Sequence, residues 1–132
     1  MTKVVSYYTS CASSVGQRAA LAALRSDQQP FDRMAEKFEK RSRLLYEGLN
    51  QIPGIKIRAA QGAFYLFPDI RSLTMDSRKF ALELLDKEQV VVIPGEAFGR
   101  QSRGFIRLAC TVSRKLLAQA LERIHRFVRN CH

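Results

Sequence analysis

No apolar run in the 132-residue sequence is long enough to cross a bilayer, which excludes a helical membrane anchor. The opening residues, MTKVVSYYTS, hold a single Lys and no sustained apolar core, so no signal peptide is expected and a cytoplasmic location follows. Histidine occurs only twice, as His125 and His132, and no metal site is expected. Cys11, Cys110 and Cys131 are odd in number and widely spaced, which fits a reducing compartment rather than a disulfide framework. Acidic residues are scarce, 12 against 22 Lys and Arg, leaving a formal charge of +10. Such a balance raises nucleic acid as a partner. Yet there is no block of like charge and no regular interleaving of aromatics, so solvated helix faces account for the charge and no nucleic-acid partner is expected. Repeats and low-complexity tracts are also missing.

What is present centres on Pro94-Gly95-Glu96-Ala97-Phe98-Gly99 and, after a four-residue gap, Gly104-Phe105-Ile106-Arg107-Leu108-Ala109-Cys110. Alternation in a strand puts Phe105, Arg107 and Ala109 on one face and Ile106, Leu108 and Cys110 on the other. Arg107 thus points away from the more apolar side. Its guanidinium is permanently charged and offers a rigid fork of donors suited to a carboxylate. On alternation alone a structural ion pair, or a head group in water, is the favoured reading, because charged residues are mostly exposed.

Along the chain, Ser13 or Ser14 caps a helix with Val15, Ala19, Ala22 and Ala23 on one side, small enough for close packing. Residues 26–30 break it, ending in Pro30. A second helix is expected from about Asp32 to Asn50, with Phe31, Met34, Ala35, Phe38, Leu45, Leu49 and Ile52 at helical spacing. Glu36 with Lys40 and Glu39 with Arg43 form i,i+4 pairs on its outer face. Pro53-Gly54 ends it. A strand from Ile55 to Arg58 is expected to pair as a hairpin with residues 63–67 across Gln61-Gly62.

Asp76 or Ser77 caps a third helix that buries Phe80, Ala81, Leu84 and Leu85. Val90 to Ile93 reads as a buried strand, and residues 99–104 as an exposed loop whose Arg100 and Arg103 are surface charge. Ser113 caps a last helix striped with Leu116, Leu117, Ala120, Leu121, Ile124, Phe127 and Val128. This order gives an α+β domain, a small, mainly antiparallel sheet with helices packed on one side.

Ser10, Ser14 and Gln17 in TSCASSVGQRAALAAL, then LNQIPGIKI, QGAFYLFPDI, VVVIPGEAFG and GFIRLAC, occur in the order and spacing of one known family. Over nearly its whole length the chain resembles the C-terminal part of a class I/II aminotransferase, a pyridoxal-phosphate enzyme of fold type I. The resemblance implies the same α+β small domain. It implies amino-group transfer between an amino acid and a 2-oxo acid, and a homodimeric parent. Residues 31–132 correspond to the small domain, and residues 1–30 to the segment and helix that join it to the large one. Arg107 falls on the position that binds the substrate's α-carboxylate, and Phe64 on the aromatic beside the bound substrate. Phe64 paired with Leu66 also reads as one core face of a strand. Two departures stand out: Cys11 replaces a usual Asn, and Ala60 a Pro.

The family's cofactor lysine, in a Ser-Lys segment, has no counterpart. Lys3 lies between Thr2 and Val4, and Lys37, Lys40, Lys56, Lys79, Lys87 and Lys115 lack the context as well. No catalytic or cofactor-binding residue is therefore expected in this chain, and alone it is expected to be inactive. Two rival classes stay open: a non-catalytic interaction module that pairs with a separate cofactor-bearing chain, and a basic nucleic-acid-binding domain.

Overall fold

The computed structural model describes residues 2–9 and 11–130. Ser10, Cys131 and His132, which entered the readings above, lie outside the described residues. Contacts divide the chain into two units, Met1–Met34 and Ala35–His132.

The first unit holds helix α1, Thr2–Thr9, helix α2, Ser14–Arg25, and the first turns of helix α3, Gln29–Asn50. Ser13 caps α2 by accepting from the Gly16 N–H at 3.5 Å, as its position before the first turn favours. The close packing expected for α2 is not found, since none of its residues is buried. Phe31 and Met34 are exposed as well. Helix α3 starts three residues before the expected Asp32, because Pro30 sits in the first turn, where a missing N–H breaks no helical bond.

In the second unit α3 continues, burying Leu45 and Leu49 and carrying the two expected ion pairs, Lys40–Glu36 at 3.8 Å and Arg43–Glu39 at 3.0 Å, on its outer side. Helices α4, Ser77–Glu88, and α5, Arg114–Asn130, follow the expected caps. Asp76 Oδ1 accepts from Lys79 N–H at 2.9 Å, and Ser113 Oγ from Leu116 N–H at 3.3 Å. Leu85 is exposed against expectation. It lies one residue past Leu84, about 100° round the helix and off the buried face. Leu116 falls off the edge of the α5 stripe in the same way.

The sheet is open and antiparallel, with three short strands: β1, Tyr65–Leu66; β2, Ile93–Pro94; and β3, Ile106–Ala109. Their order is β1-β3-β2, so the strand bearing Arg107 is central. Tyr65 pairs with Ala109 and Leu66 with Leu108 on one side, and Ile93 with Arg107 and Pro94 with Ile106 on the other. Three expected strands shrink, that at 63–67 to Tyr65–Leu66. Residues 55–58 contribute a single antiparallel bridge, Lys56 to Asp69, not a hairpin with 63–67, because Ala63 takes a left-handed turn (φ 58°) and 65–66 pair with β3 instead. In the 90–93 run Val90 and Val92 are buried but Val91 is 70% exposed, and pairing starts only at Ile93.

Ile106 and Leu108 enter one core with Leu45 and Leu49 of α3, Leu84 of α4 and Ile124 and Phe127 of α5. Phe80 and Phe127 meet edge to face at 5.2 Å. The helices thus cover one face of the sheet, as the α+β reading requires. No helix among the described residues is long and apolar enough to cross a membrane.

The segment that feeds β3 is anchored by one buried hydroxyl: Ser77 Oγ accepts from the Gly104 N–H at 2.8 Å. Residues 99–104 are therefore not wholly an exposed loop, since Gly104 is buried and Arg100–Ser102 form a 3₁₀ turn. Ser77→Ala strands that donor away from water, and its expected cost is about 1–3 kcal/mol, read as a lower urea midpoint at unchanged slope.

Two further carboxylates hold arginines, each through both of its oxygens: Asp69 grips Arg71, and Glu88, at the end of α4, grips Arg126 of α5. The facing guanidinium holds each carboxyl below its usual range, by hydrogen bonding first and charge second. A group depressed on folding stabilises above its unfolded pKa, about 4.3 for Glu, and loses that contribution as pH falls through the lower native value. Urea midpoints followed from pH 7 to 2 are therefore expected to drop on the acid side, and Glu88→Gln to make that drop shallower. Equal acid limbs in the two proteins would count against the Glu88 pair.

Candidate functional site

Arg107 stands in the middle of β3 on the face turned from the helices, half-buried, with Phe105 half-buried and Ala109 exposed beside it. Tyr65, opposite Ala109 in β1, is its diagonal neighbour on that face, close enough for long side chains to meet. The Arg107 guanidinium carbon sits 4.4 Å from the Tyr65 ring centroid. On the other side Pro94 leads into a 3₁₀ turn, Gly95–Phe98, that delivers the Phe98 ring 4.7 Å from the same carbon. The Arg107 side chain makes no ion pair and no hydrogen bond with the described residues, so its guanidinium donors have no acceptor among them.

Phe64 lies one ring away from Arg107, 4.5 Å from Tyr65 and 5.6 Å from Phe38. Leu66 is in the core, but Phe64 is partly exposed, so the two do not form one core face. Aromatics and arginines do interleave here, although in space and not along the chain. Phe67 stacks on Phe105 at 5.4 Å and meets Phe98 edge-on at 5.8 Å, while Arg71 covers Phe105 and Arg41 covers Phe38.

Tyr65 and Phe98 were not among the residues expected from sequence. The signal for Tyr65 was the alternation that also placed Arg107; the signal for Phe98 was only its closeness to Pro94-Gly95. Cys110 is buried at the end of the same strand, and burial raises its thiol pKa, which makes it a poor nucleophile. No cluster of metal-ligating side chains occurs among the described residues. A groove of about 290 Å³ lined by Thr74, Lys79, Glu83, Lys87 and Phe127 shares no residue with the Arg107 site.

The structure is thus an α+β domain whose helix-backed antiparallel sheet carries one unpaired arginine fork on its open face. The sequence profile of the family described as aminotransferase class I and II matches residues 1–124, and the chain belongs to that family. It is 38% identical over 128 residues to an aspartate aminotransferase of Pyrococcus horikoshii, which covers 96% of this chain and 33% of that protein. An aspartate aminotransferase of Geobacillus stearothermophilus is 39% identical over 135 residues, covering 97% and 33%. Among solved structures, an aromatic aminotransferase of Pyrococcus horikoshii superposes with a TM-score of 0.88 at 31% identity, covering 97% of this chain and 34% of that one. An alanine aminotransferase of Pyrococcus furiosus gives 0.85 at 30%, covering 91% and 31%. The chain spans about a third of the length of the curated relatives it matches.

Enzymes of this family hold pyridoxal phosphate on a lysine. All seven lysines here are exposed. Lys79 and Lys87, which rim the groove, are engaged by Glu83 at 3.8 and 3.2 Å. These residues do not fit a covalently held cofactor, and no step at the cofactor is assigned to them.

Proposed function

We propose that the chain is the C-terminal, substrate-carboxylate-binding domain of a pyridoxal-phosphate-dependent aminotransferase that moves an amino group between an amino acid and a 2-oxo acid. Residues 31–132 make the small domain, and residues 1–30 join it to a large domain that supplies the cofactor lysine. The parent is a homodimer acting in a reducing, cytoplasmic compartment. Arg107 grips the α-carboxylate through two parallel N–H···O bonds, and Phe64 lies beside the substrate.

The observation that carries this reading is the guanidinium of Arg107, on the open face of a domain of this family, with two rings beside it and no carboxylate partner among the described residues. The names of the relatives support the choice of ligand group. They include aspartate, alanine and aromatic aminotransferases, whose substrates differ in side chain and share an α-carboxylate. The α-carboxylate is the group such substrates have in common, and a guanidinium fork suits it. By fixing that carboxylate, Arg107 sets the orientation of the whole substrate, and orientation lowers the barrier by removing freedom before the reaction.

The test is a chimera in which residues 2–130 replace the corresponding third of the Geobacillus stearothermophilus enzyme. It is expected to transfer amino groups from at least one amino acid to a 2-oxo acid. A cofactor-loaded, folded chimera that turns over no amino acid would overturn the proposal.

A further inference from the structure

Arg71, Arg126 and Arg107 of the second unit are held in two different ways. Arg71 and Arg126 give their forks to Asp69 and Glu88. Arg107 has ring faces on two sides, Tyr65 at 4.4 Å and Phe98 at 4.7 Å, and no carboxylate among the described residues. The difference matters chemically. A carboxylate partner steadies a guanidinium and uses up its N–H donors in doing so. A ring face attracts the cation through its quadrupole and takes none of the strong hydrogen bonds. Each neighbour of the central strand contributes one side: Tyr65 comes from β1, and Phe98 from the 3₁₀ turn that follows β2.

We infer that Tyr65 and Phe98 are positioning residues, a pair of rings that fixes the Arg107 guanidinium in place while leaving its fork free for a carboxylate. The inference rests on the carboxylate reading of Arg107 for its purpose, though not for its geometry. An arginine on an open sheet face otherwise samples many rotamers, and ordering it on binding weakens the grip. The rings do that ordering beforehand. The Tyr65 hydroxyl has no part in this, so a phenylalanine serves equally.

The test uses the full chain labelled with nitrogen-15, with the Arg107 Nε–Hε resonance assigned by its loss in Arg107→Lys. In the unsubstituted chain that proton is expected upfield of the other arginines, shifted by two ring currents, with a high order parameter. Tyr65→Leu and Phe98→Leu are each expected to move it back toward the free-arginine position and lower its order. They are also expected to weaken 2-oxoglutarate binding roughly three- to ten-fold, the range for one lost cation–ring contact. Tyr65→Phe is expected to stay within about two-fold of the original in shift, order and affinity. Both rings are substantially exposed, 40% and 47%, so the leucine variants keep the core intact. An Arg107 Hε signal that is mobile from the start, or unmoved by either leucine, overturns the inference. If the order falls as expected but 2-oxoglutarate binds nowhere, the ring clamp stands and the carboxylate reading falls.

Discussion

Arg107→Leu in the cofactor-bearing chimera is expected to lower kcat/KM by roughly 10²- to 10⁴-fold. Two hydrogen bonds between charged groups are lost, each contributing about 1.5–3 kcal/mol, and each 1.4 kcal/mol is a factor of ten. Arg107→Lys separates charge from geometry. It keeps the positive charge and gives up the planar fork, so an intermediate loss is expected. The chimera should still load its cofactor and melt at a similar temperature in both cases, because the Arg107 side chain makes no ion pair or hydrogen bond with another described residue. Steady-state kinetics with aspartate and 2-oxoglutarate would read the effect. A leucine variant within about three-fold of its parent would exclude Arg107 from substrate binding.

The largest structural effect is expected from a single methyl group at Gly95. This glycine opens the turn that carries Phe98, and its N–H donates to the Phe105 carbonyl at 2.8 Å. A Cβ built there would run into the carbonyl oxygens of Ser102 and Phe105. Both obstacles are backbone, so no side chain can swing aside. Either the turn or the start of β3 must move. Gly95→Ala is therefore expected to cost about 3 kcal/mol or more, the upper end for overpacking. It should also displace Phe98 and release one side of Arg107. A denaturant midpoint equal to that of the unsubstituted chain would show that the turn is softer than its contacts suggest.

Much of this site was legible because it depends on alternation. The face of Arg107 followed from Ile106 and Leu108 being apolar, and both are buried on the helix side. The caps Ser13, Asp76 and Ser113 were legible for a similar reason. A short side chain that bonds to the backbone three residues on is a local event. What could not be read depends on distance. Residues 55–58 have strand-forming side chains, but their partner is Asp69, and one bridge is all they form. The ring clamp was hidden for the same cause: Tyr65 and Phe98 are far apart in sequence, and each reaches Arg107 only through the pairing of the outer strands with β3. The shift of β2 from 90–93 to 93–94 likewise reflects its partner Arg107 and not its own β-branched run.

In the proposed enzyme these 132 residues hold a substrate's carboxylate and leave the cofactor bond to another part of the protein. This division is tested most directly by incubating the purified chain with pyridoxal phosphate, following the absorbance of the cofactor–lysine bond with and without amino acids, then reducing and mapping modified lysines. Weak labelling spread over exposed lysines is expected, with no spectral response to amino acids. One lysine modified in full, with a spectral change on adding a single amino acid, would contradict it.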